Sequence, residues 1–589
     1  MSAKIYYQKR ASLFQSKVAE FKRKSTQFAL FRLCSFLAVG LSIYFLYNYP
    51  LWVVISGLTS FSTFLFFVRK SVDIKHKLAY YQALLAINEN ELKVLNSDFS
   101  NFENGKRFIN PQHPFTYDLD VFGEKSIYQF LNRTVSKKGE ALLASYLEIG
   151  VENPNDYQES TKALLDSIDW SQEYRAVGQL NQENEKENAL ALWLRSKIDF
   201  SKTVNILRFV LPVIAILSTA AYSIGLIQET YYIICLAICF APISVHLKKT
   251  NSVAANVGSL KDKLRALNSQ INLIKELKAS SKQIEQIKAK LFKDSQNADK
   301  AFKQLIKQIE RFDMRNNIIV SVLFNLFLAY DFQLLSGLSK WKEKYGDVLL
   351  NFESLLVEIE VIISMTNLKF NAPSNTFPKL SNDNNSIEII ELGHPLLLFK
   401  QMVKNDYKLK ENEAFSIITG PNMAGKSTFL RSVGVNLMLA KAGFSVVAKS
   451  FSFPNLKLYS SMRTADNLTE ESSYFHAELV RLRFIADAID RGEEVFIILD
   501  EILKGTNSKD KEEGSAKFLT KLVSQGAKGI IATHDLSLTK LANKNTKLVN
   551  QYFDSTITGD SISFSYTINY GVVKNMNASF LLKQMNLVD

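Results

Sequence analysis

The clearest hydrophobic pattern along the chain is a pair of long apolar runs near the N-terminus. Residues 33–47 and 51–68 contain no charged side chain and are separated only by residues 48–50, a turn signal. A second pair, residues 209–227 and 231–245, repeats the arrangement. Each run is about 15 to 19 residues long, at the short end for a membrane span. The pattern predicts two transmembrane helical hairpins; the alternative is buried helices of a large soluble core.

Basic residues flank both pairs, whereas the only charged side chain at either tip is Glu229. The positive-inside rule therefore predicts a multi-pass membrane protein whose N-terminus and remaining domains are cytoplasmic. A cleaved signal peptide is disfavoured because a charged region of about thirty residues precedes the first apolar run. The flanking residues are Lys22, Arg23, Lys24, Arg32, Arg69 and Lys70 for the first pair, and Lys202, Arg208, Lys248 and Lys249 for the second.

Two further patterns predict helices outside the membrane. Residues 318–330 form a shorter apolar run followed at once by Asp331, which favours a buried core helix. Within the lysine-rich stretch 248–307, apolar residues recur at alternating spacings of four and three, which predicts a coiled-coil-like helix with a charged outer face. That face is either a solvated lever or a nucleic-acid contact surface. The apolar positions are Leu260, Leu264, Leu267, Ile271 and Ile274.

A short apolar strand, residues 415–419, leads into a glycine-containing loop and then a helix that begins near Thr428. The spacing of Gly420, Gly425, Lys426 and Ser427 is that of a phosphate-binding loop. Glycines let backbone amides curl around phosphates, Lys426 neutralises the outer phosphates, and the Ser427 hydroxyl reaches Mg²⁺. The loop predicts a nucleoside triphosphate site formed by Gly420, Pro421, Asn422, Met423, Ala424, Gly425, Lys426, Ser427 and Thr428.

Two later apolar strands end in residues that complete such a site. Residues 495–499 are followed by Asp500 and Glu501, and residues 529–532 are followed by Thr533 and His534. In open α/β sheets ligands sit at the carboxyl ends of the strands. Asp500 is predicted to hold the Mg²⁺ shell, Glu501 to orient or deprotonate the attacking water, and His534 to sense the terminal phosphate.

The run 419–431, Thr-Gly-Pro-Asn-Met-Ala-Gly-Lys-Ser-Thr-Phe-Leu-Arg, resembles the ATPase domain of the MutS family, the mismatch-recognition ATPases related to ABC ATPases. Residues 393–395, 405–406, 473–478 and 500–507 also resemble segments of that family. The resemblance implies Mg²⁺-dependent ATP hydrolysis with Lys426, Glu501 and His534 as catalytic residues. It also implies that Ser473 faces the nucleotide of a second subunit, so that the working unit is a homodimer, and that DNA is a partner.

The chain departs from the family pattern at three positions. Leu503 and Lys504 replace the usual Gly-Arg, and lysine cannot copy the flat bidentate fork of arginine. Met402 stands where the family often stacks an aromatic ring on adenine. The letters Phe-Gly-Glu at residues 122–124 match the family's mismatch wedge, but they lie in a segment that resembles the core domain. We therefore expect a membrane-anchored variant that lacks the mismatch-reading domain.

The upstream resemblance is broader. Residues 118–126, with 131–134 and Gly139, look like the start of the family's helical core, and residues 341–380 look like its end. The expected fold is an α/β P-loop ATPase domain, ABC- and MutS-like, C-terminal to a mostly α-helical core with two transmembrane hairpins. The expected divisions are 1–102 (basic segment, first hairpin, one helix), 103–206 (first portion of the core), 207–247 (second hairpin), 248–380 (lever-like helices that form the rest of the core) and 381–589 (ATPase).

Composition is compatible with this division. The 589 residues are 47% hydrophobic and carry a formal charge of +13, which suits duplex phosphates, anionic lipid or simple solubility. Cys34, Cys235 and Cys239 all lie in the apolar runs, so neither a disulfide framework nor a zinc cluster is indicated.

Two functions remain open from the sequence. The first is a membrane-anchored ATPase that couples ATP to the binding of mismatched or structured DNA. The second is a membrane mechanochemical switch that acts on a protein or lipid partner without DNA. A transporter is disfavoured because the apolar runs lack the intramembrane charges that mark a substrate path.

Overall fold

The first two helices form a long antiparallel hairpin at the N-terminus. The computed structural model describes residues 2–46, 48–180, 189–198, 202–292, 298–315, 318–381, 385–463, 474–504, 506–558 and 561–573. Helices α1 (Ala3–Leu46) and α2 (Pro50–Val94) run far beyond the apolar segments that predicted them. Proline in the first turn of α2 suits a helix start because its missing N–H has no intrahelical partner there.

The polar half of this hairpin is fixed in the helical core. The buried Tyr7 hydroxyl donates to Asn371 Oδ1 at 2.7 Å. On α2 the fully buried Glu91 carboxylate pairs with Arg133 Nε at 2.7 Å and Arg175 Nη1 at 3.0 Å. Breaking such a buried charge cluster would leave an uncompensated charge. The apolar half projects beyond the core, and its exposed side chains include Leu33, Phe36, Leu37, Leu41, Phe45, Trp52, Phe61, Leu65 and Phe66.

Five shorter helices continue the core. Ser126 and Ser136 are the N-cap residues of two of them. Each serine side chain accepts a hydrogen bond from the backbone N–H three residues further along the chain, as N-cap serines do. These helices are α3 (Ile127–Leu131), α4 (Lys137–Ile149), α5 (Pro154–Leu164), α6 (Ile168–Gln179) and α7 (Ala189–Arg195).

A second hairpin follows, and its outgoing helix is continuous with the core. Helices α8 (Lys202–Ser223) and α9 (Glu229–Glu276) are joined by a turn in which Gly225 has a φ of +75°. The 48-residue α9 crosses the division expected at residues 247 and 248 without a break. The C-terminal half of α9 buries all five apolar residues that recur at spacings of four and three, so the prediction of a helix with a buried apolar face is confirmed. The remaining core helices are α10 (Lys282–Phe292), α11 (Ala298–Arg315), α12 (Ile318–Leu328) and α13 (Tyr330–Asn371).

The prediction that residues 318–330 form a buried core helix is wrong. Helix α12 packs against α8 and α9, where Phe327 joins a small apolar cluster at the base of the second hairpin. Its outer side chains Val322, Leu323 and Leu328 are 45–49% exposed. An apolar run predicts a helix that avoids water, but it does not distinguish a protein interior from another apolar surrounding.

Within the described residues, two helices are long and apolar enough to cross a membrane, judged by length and composition alone. They are residues Thr203–Ser223 of α8 and the apolar portion of α9. Only 22% and 11% of their most apolar windows are buried in the protein. A core helix of a soluble protein would be mostly buried, so these side chains lack the surroundings that such a core provides.

The C-terminal portion of the chain holds two sheets. The six-stranded sheet has the order β10-β9-β4-β8-β7-β6 and is parallel except for the β9–β10 pair. The four-stranded sheet has the order β1-β5-β2-β3. The strands are β1 (Lys379–Ser381), β2 (Ile387–Leu392), β3 (Asn405–Leu409), β4 (Phe415–Thr419), β5 (Ser450–Pro454), β6 (Lys457–Ser461), β7 (Val495–Asp500), β8 (Lys528–Ala532), β9 (Leu548–Thr558) and β10 (Ser561–Tyr570).

Helices α14 (Lys426–Lys441), α15 (Tyr474–Asp490) and α16 (Ser508–Ser524) complete this α/β domain. The central strands β4, β7 and β8 are buried along nearly their whole length, as expected for parallel strands covered on both faces. Their carboxyl ends meet at one edge of the sheet and deliver the candidate site residues there. The predicted fold class is confirmed as a mostly helical core followed by α/β sheets.

Candidate functional site

The loop between β4 and α14 has the geometry that its glycines predicted. Gly420 has a φ of +149°, and a Cβ there would lie 2.6 Å from the carbonyl oxygen of Phe553. Gly425 has a φ of +104° immediately before the first turn of α14. Both positions exclude an ordinary side chain. The loop thereby presents backbone amides at a helix N-terminus, which is an anion-binding arrangement.

Helix α14 begins at Lys426, slightly before the start predicted near Thr428, so Lys426 and Ser427 lie in its first turn. The Lys426 Nζ donates to the carbonyl oxygens of Gly420 and Pro421 at 2.8 and 2.9 Å. Burial lowers the pKa of Lys426, while the Asp500 and Glu501 carboxylates oppose that shift. The Ser427 hydroxyl donates to Asp500 Oδ2 at 2.7 Å. A hydroxyl and a carboxylate side by side are oxygen donors of the kind that Mg²⁺ prefers.

Glu501 follows β7 in a left-handed conformation, with a φ of +56°. Its backbone N–H donates to Ala532 O at 2.9 Å, which ties the end of β7 to the end of β8. Its carboxylate accepts a 2.8 Å hydrogen bond from Lys511 Nζ on α16. Burial raises the pKa of Glu501, but Lys511 and more distant positive charges prevail and lower it overall. Glu501 is therefore ionised at neutral pH, as a general base must be.

His534 lies on the other side of Lys426, with its Nε2 3.5 Å from the lysine Nζ. Burial, and then the positive charge of Lys426, lower the pKa of His534 below its usual 6.5. The imidazole is neutral at pH 7 and offers one donor and one acceptor to a ligand.

These residues surround one cavity of about 730 Å³. Asn422, Met423, Gly425, Lys426, Ser427, Thr428, Asp500, Glu501 and His534 of the predicted set line it. Gly420, Pro421 and Ala424 shape the loop from behind, since Ala424 is fully buried and the other two supply carbonyls to Lys426. The predicted contact of Ser473 lies outside the described residues.

Tyr566 and Phe553 also line the cavity, although the sequence analysis named neither. Asn405 lines it too, and the sequence analysis named it only within a segment that resembles the family. Tyr566 sits on a register shift of β10 with a φ of +53°. Asn405 fixes that shift, because its Nδ2 donates to Tyr566 O at 3.0 Å and its Oδ1 accepts the Ile568 N–H at 2.8 Å. Tyr566 thus presents an aromatic ring in the same cavity as Met402. The pairing of β10 with a side chain of β3 has no signature in the sequence.

A buried carboxylate holds the loop after β7. Glu478 of α15 is 3% exposed and accepts the backbone N–H groups of Leu503 and Lys504 at 2.6 and 3.0 Å. Leu503 has a φ of +59°, a region that favours glycine. The glycine that the resemblance implies at this position would suit this left-handed backbone. Leu503 adopts the left-handed backbone although it has a side chain, and that side chain is buried.

The helical core contacts the site region through two aspartates. Asp118 Oδ2 accepts from the Ser460 hydroxyl at 2.6 Å, at the end of β6. Asp120 bonds Arg431 of α14 at 2.5 Å and Arg463 Nη2 at 2.9 Å. One short segment of the core therefore contacts both the helix that starts at the phosphate loop and the strand beside β7.

The fold and the site together define an α/β domain whose central strand, glycine loop and following helix are shaped to bind phosphate, docked on a helical core. Residues 416–585 match the family model for MutS domain V. The similarity of this chain to the MutS family therefore lies in its C-terminal region.

Relatives match the C-terminal half of the chain. The DNA mismatch repair protein MutS of Aquifex pyrophilus is 36% identical over 192 residues, 32% of this chain and 22% of the relative. Those of Thermotoga neapolitana and Leptospira interrogans are 28% and 29% identical over 233 and 253 residues, 39% and 41% of this chain. The matched regions span less than a third of each of these relatives, 28% and 29% for the last two.

Proposed function

We propose that the chain binds and hydrolyses ATP with Mg²⁺ in this cavity. The observation that supports this proposal most directly is the 2.7 Å hydrogen bond between the side chains of Ser427 and Asp500. Lys426, Glu501 and His534 line the same cavity. Loop amides and Lys426 would bind the phosphates, and Ser427 and Asp500 would hold the metal. Bound Mg²⁺ would neutralise charge on phosphate oxygens. Glu501 would accept a proton from the attacking water, and neutral His534 would hydrogen-bond the terminal phosphate.

Nucleotide binding tests the assignment of the loop. Lys426→Ala removes the only loop cation, so we expect ATP affinity to fall by about ten- to a hundredfold, given about 1.5–3 kcal/mol for a hydrogen bond to a charged group. Lys449→Ala is the matched control, because its side chain is 71% exposed and lies outside the cavity lining. Equal ATP affinity for both variants and the native chain would remove Lys426 from the site.

We also propose a homodimer in which Ser473 completes the partner's site. The support is the resemblance of residues 473–478 to the family, whose relatives carry the same C-terminal region. Ser473→Ala mixed with Lys426→Ala should then recover some of the native hydrolysis, since one mixed site has both residues intact. Recovery absent at every mixing ratio would contradict a composite site.

Membrane anchoring is a further proposal, and it is supported by the direction of the two hairpins. Helix α6 serves as a reference. Along it, α1 runs parallel, since Arg10 bonds Gln172 and Phe14 packs near Ala176. In contrast, α9 runs antiparallel, since Leu273 contacts Trp170 and Gln270 lies beside Gly178. The tip of the first hairpin follows α1 and the tip of the second precedes α9, so both project from the same side of the core.

The apolar segments also begin at similar heights. From Phe14 to Leu33 is about 28 Å along α1 at 1.5 Å per residue. Tyr174 contacts Leu356 on α13, and Phe332 packs on His246 at the base of the second hairpin. Along α13, Leu356 and Phe332 are about 36 Å apart at the same rise per residue. This is the distance from the level of α6 to the base of the second hairpin, and it is comparable with the distance of about 28 Å along α1. One membrane could therefore accommodate both hairpins.

The DNA partner is proposed from the family, because the named relatives are DNA mismatch repair proteins. The exposed hairpins favour a second candidate, a switch that acts on a membrane partner without DNA. Duplex DNA that stimulates hydrolysis at low salt, with stimulation fading as salt rises, would support the first. Hydrolysis indifferent to matched, mismatched and branched duplexes would favour the second.

A further inference from the structure

A second cavity, of about 620 Å³, lies at the base of the second hairpin and far from the phosphate loop in sequence. It is lined by the end of α7 and the loop after it, by residues 245–256 of α9, and by Lys342 of α13. Four lysines line it, and the described lining contains no carboxylate. The lining includes Trp193, Lys197, Val245, Lys248, Lys249 and Lys342.

Lys342 gives this cavity a buried positive charge. The residue is 7% exposed, and its ammonium donates to the carbonyl and hydroxyl oxygens of Ser196 at 2.8 and 2.9 Å. The same ammonium lies 4.7 Å from the ring centroid of Trp193. Among the described residues no carboxylate pairs with it. Burial lowers the pKa of Lys342 to about 8, which is the cost of placing a cation there without an anion.

The other lysines reinforce that charge. Lys197 and Lys248 are exposed at the cavity, and neither forms an ion pair with a described residue. Like charges that share a small cavity repel one another, and the attraction of each lysine to a bound anion would offset that repulsion. Ammonium groups are strong donors to phosphate oxygens. The cavity therefore favours a phosphate group over a neutral ligand.

The position of the cavity indicates where that phosphate comes from. Val245, the last residue of the apolar run in α9, is 78% exposed and lies on the cavity. Lys248 and Lys249 follow within about one helical turn. A phospholipid beside the hairpin would place its acyl chains along the apolar run and its phosphate at this level. Basic pockets on the cytoplasmic side of membrane helices commonly bind anionic headgroups.

We propose that this cavity binds the phosphate of an anionic phospholipid headgroup. The lipid source rests on the proposed membrane insertion of the second hairpin, whereas the phosphate site itself does not. Binding there would fix α7, α9 and α13 together at the membrane surface. Because α9 continues into the core that contacts the α/β domain, the headgroup would also anchor the helix that links hairpin and core.

The test is calorimetric titration of the full chain, purified in an uncharged detergent, with dihexanoyl phosphatidylglycerol, dihexanoyl phosphatidylcholine and inorganic phosphate. The double variant Lys197→Gln, Lys248→Gln removes two cavity charges. Lys278→Gln, Lys300→Gln is the matched control, because both lysines are exposed and lie outside the cavity lining. Lys426→Ala is measured in parallel to separate this cavity from the phosphate loop.

We expect phosphatidylglycerol to bind about tenfold or more tightly than phosphatidylcholine, and the cavity variant to lose about tenfold in affinity, since each lysine would make a charge-assisted bond. The control and Lys426→Ala should bind as the native chain does. Unchanged phosphatidylglycerol affinity in the cavity variant would overturn the site. Inorganic phosphate bound as tightly as phosphatidylglycerol, with the same variant dependence, would overturn the lipid source. A native chain that binds phosphatidylglycerol but not ATP would contradict the proposed ATPase and leave the lipid site supported.

Discussion

At the scale of single residues, the protonation state of Glu501, the proposed general base, is controlled by one neighbour. Glu501 is half-buried, which favours its protonated form, and Lys511 at 2.8 Å favours the ionised form. The lysine prevails, so the pKa of Glu501 lies below its usual value. A base must be ionised to accept a proton, and Lys511 therefore determines how far into acid the proposed hydrolysis persists.

Replacing Lys511 should shift the pH profile of ATP hydrolysis. In Lys511→Met, burial acts without its main opponent, so the pKa of Glu501 rises and the acid limb of the profile moves to higher pH. Lys509→Met is the matched control, because Lys509 is exposed on the same helix and lies outside the cavity lining. An acid limb that stays in place in Lys511→Met would show that Glu501 is not the titrating base.

Leu503 allows a separate test of backbone strain. Its φ of +59° costs a non-glycine residue about 1 kcal/mol, whereas losing a buried leucine side chain costs about 2–5 kcal/mol. The loss of packing outweighs the relief of strain, so Leu503→Gly should still lower the apparent melting temperature. Leu503→Ala keeps the strain and loses the packing, and should melt lower than Leu503→Gly. The reverse order would contradict the left-handed backbone at this position.

At the scale of elements, α12 is where the apolar pattern and the structure disagree. Its outer face is apolar and exposed, and it packs on the base of the second hairpin. The helices on either side of α12 are joined by a buried ion pair, in which Arg315 Nε of α11 donates to Asp331 Oδ1 of α13 at 2.7 Å. The helix is 11 residues long, about 16 Å, which is too short to span a membrane. We therefore expect it to lie in the membrane interface.

A spin label reports the surroundings of this helix. On a chain reconstituted in lipid, a label at Leu323→Cys should collide more with oxygen, which partitions into lipid, than with a water-soluble nickel complex. Ile149→Cys is the control, since Ile149 is also an exposed apolar residue, 76% accessible, but belongs to the core helix α4. Native cysteines are replaced in both variants. Equal nickel access at the two positions would place α12 in water.

The sequence predicted these elements unevenly, for physical reasons. The phosphate loop was predicted because glycine, lysine and serine are needed at fixed spacing there. Helices α1 and α9 were predicted at about a third of their observed length, because the apolar pattern covers only part of each helix while the helical hydrogen bonding continues through polar residues. Tyr566 was missed because its place in the cavity depends on Asn405 of a distant strand.

At the scale of the whole molecule, the two hairpins share one direction. Both are connected to α6 and α13, so the proposed membrane would have one plane common to both hairpins. Asp118 and Asp120 then connect that core to the strands and helix that carry the site. This continuous path would transmit a change at the phosphate loop to the hairpins through packed helices.

The common direction of the hairpins predicts a labelling pattern. In cells, Asn48→Cys and Gln228→Cys on a background without native cysteines should both react with a membrane-impermeant maleimide added outside. Lys278→Cys, at the core end of α9, should react only after the cells are opened. Labelling of one tip but not the other in intact cells would contradict a shared membrane plane.

The central claim is that the chain hydrolyses ATP through Glu501, and one paired measurement tests it most directly. ATP binding and ATP hydrolysis are measured on the same detergent-purified samples of the native chain and of Glu501→Gln. We predict equal ATP affinity and a hydrolysis rate about 10²–10⁴-fold lower in the variant, as expected when a general base is removed. A native chain that does not hydrolyse ATP, or a Glu501→Gln variant that hydrolyses it at the native rate, would contradict the claim.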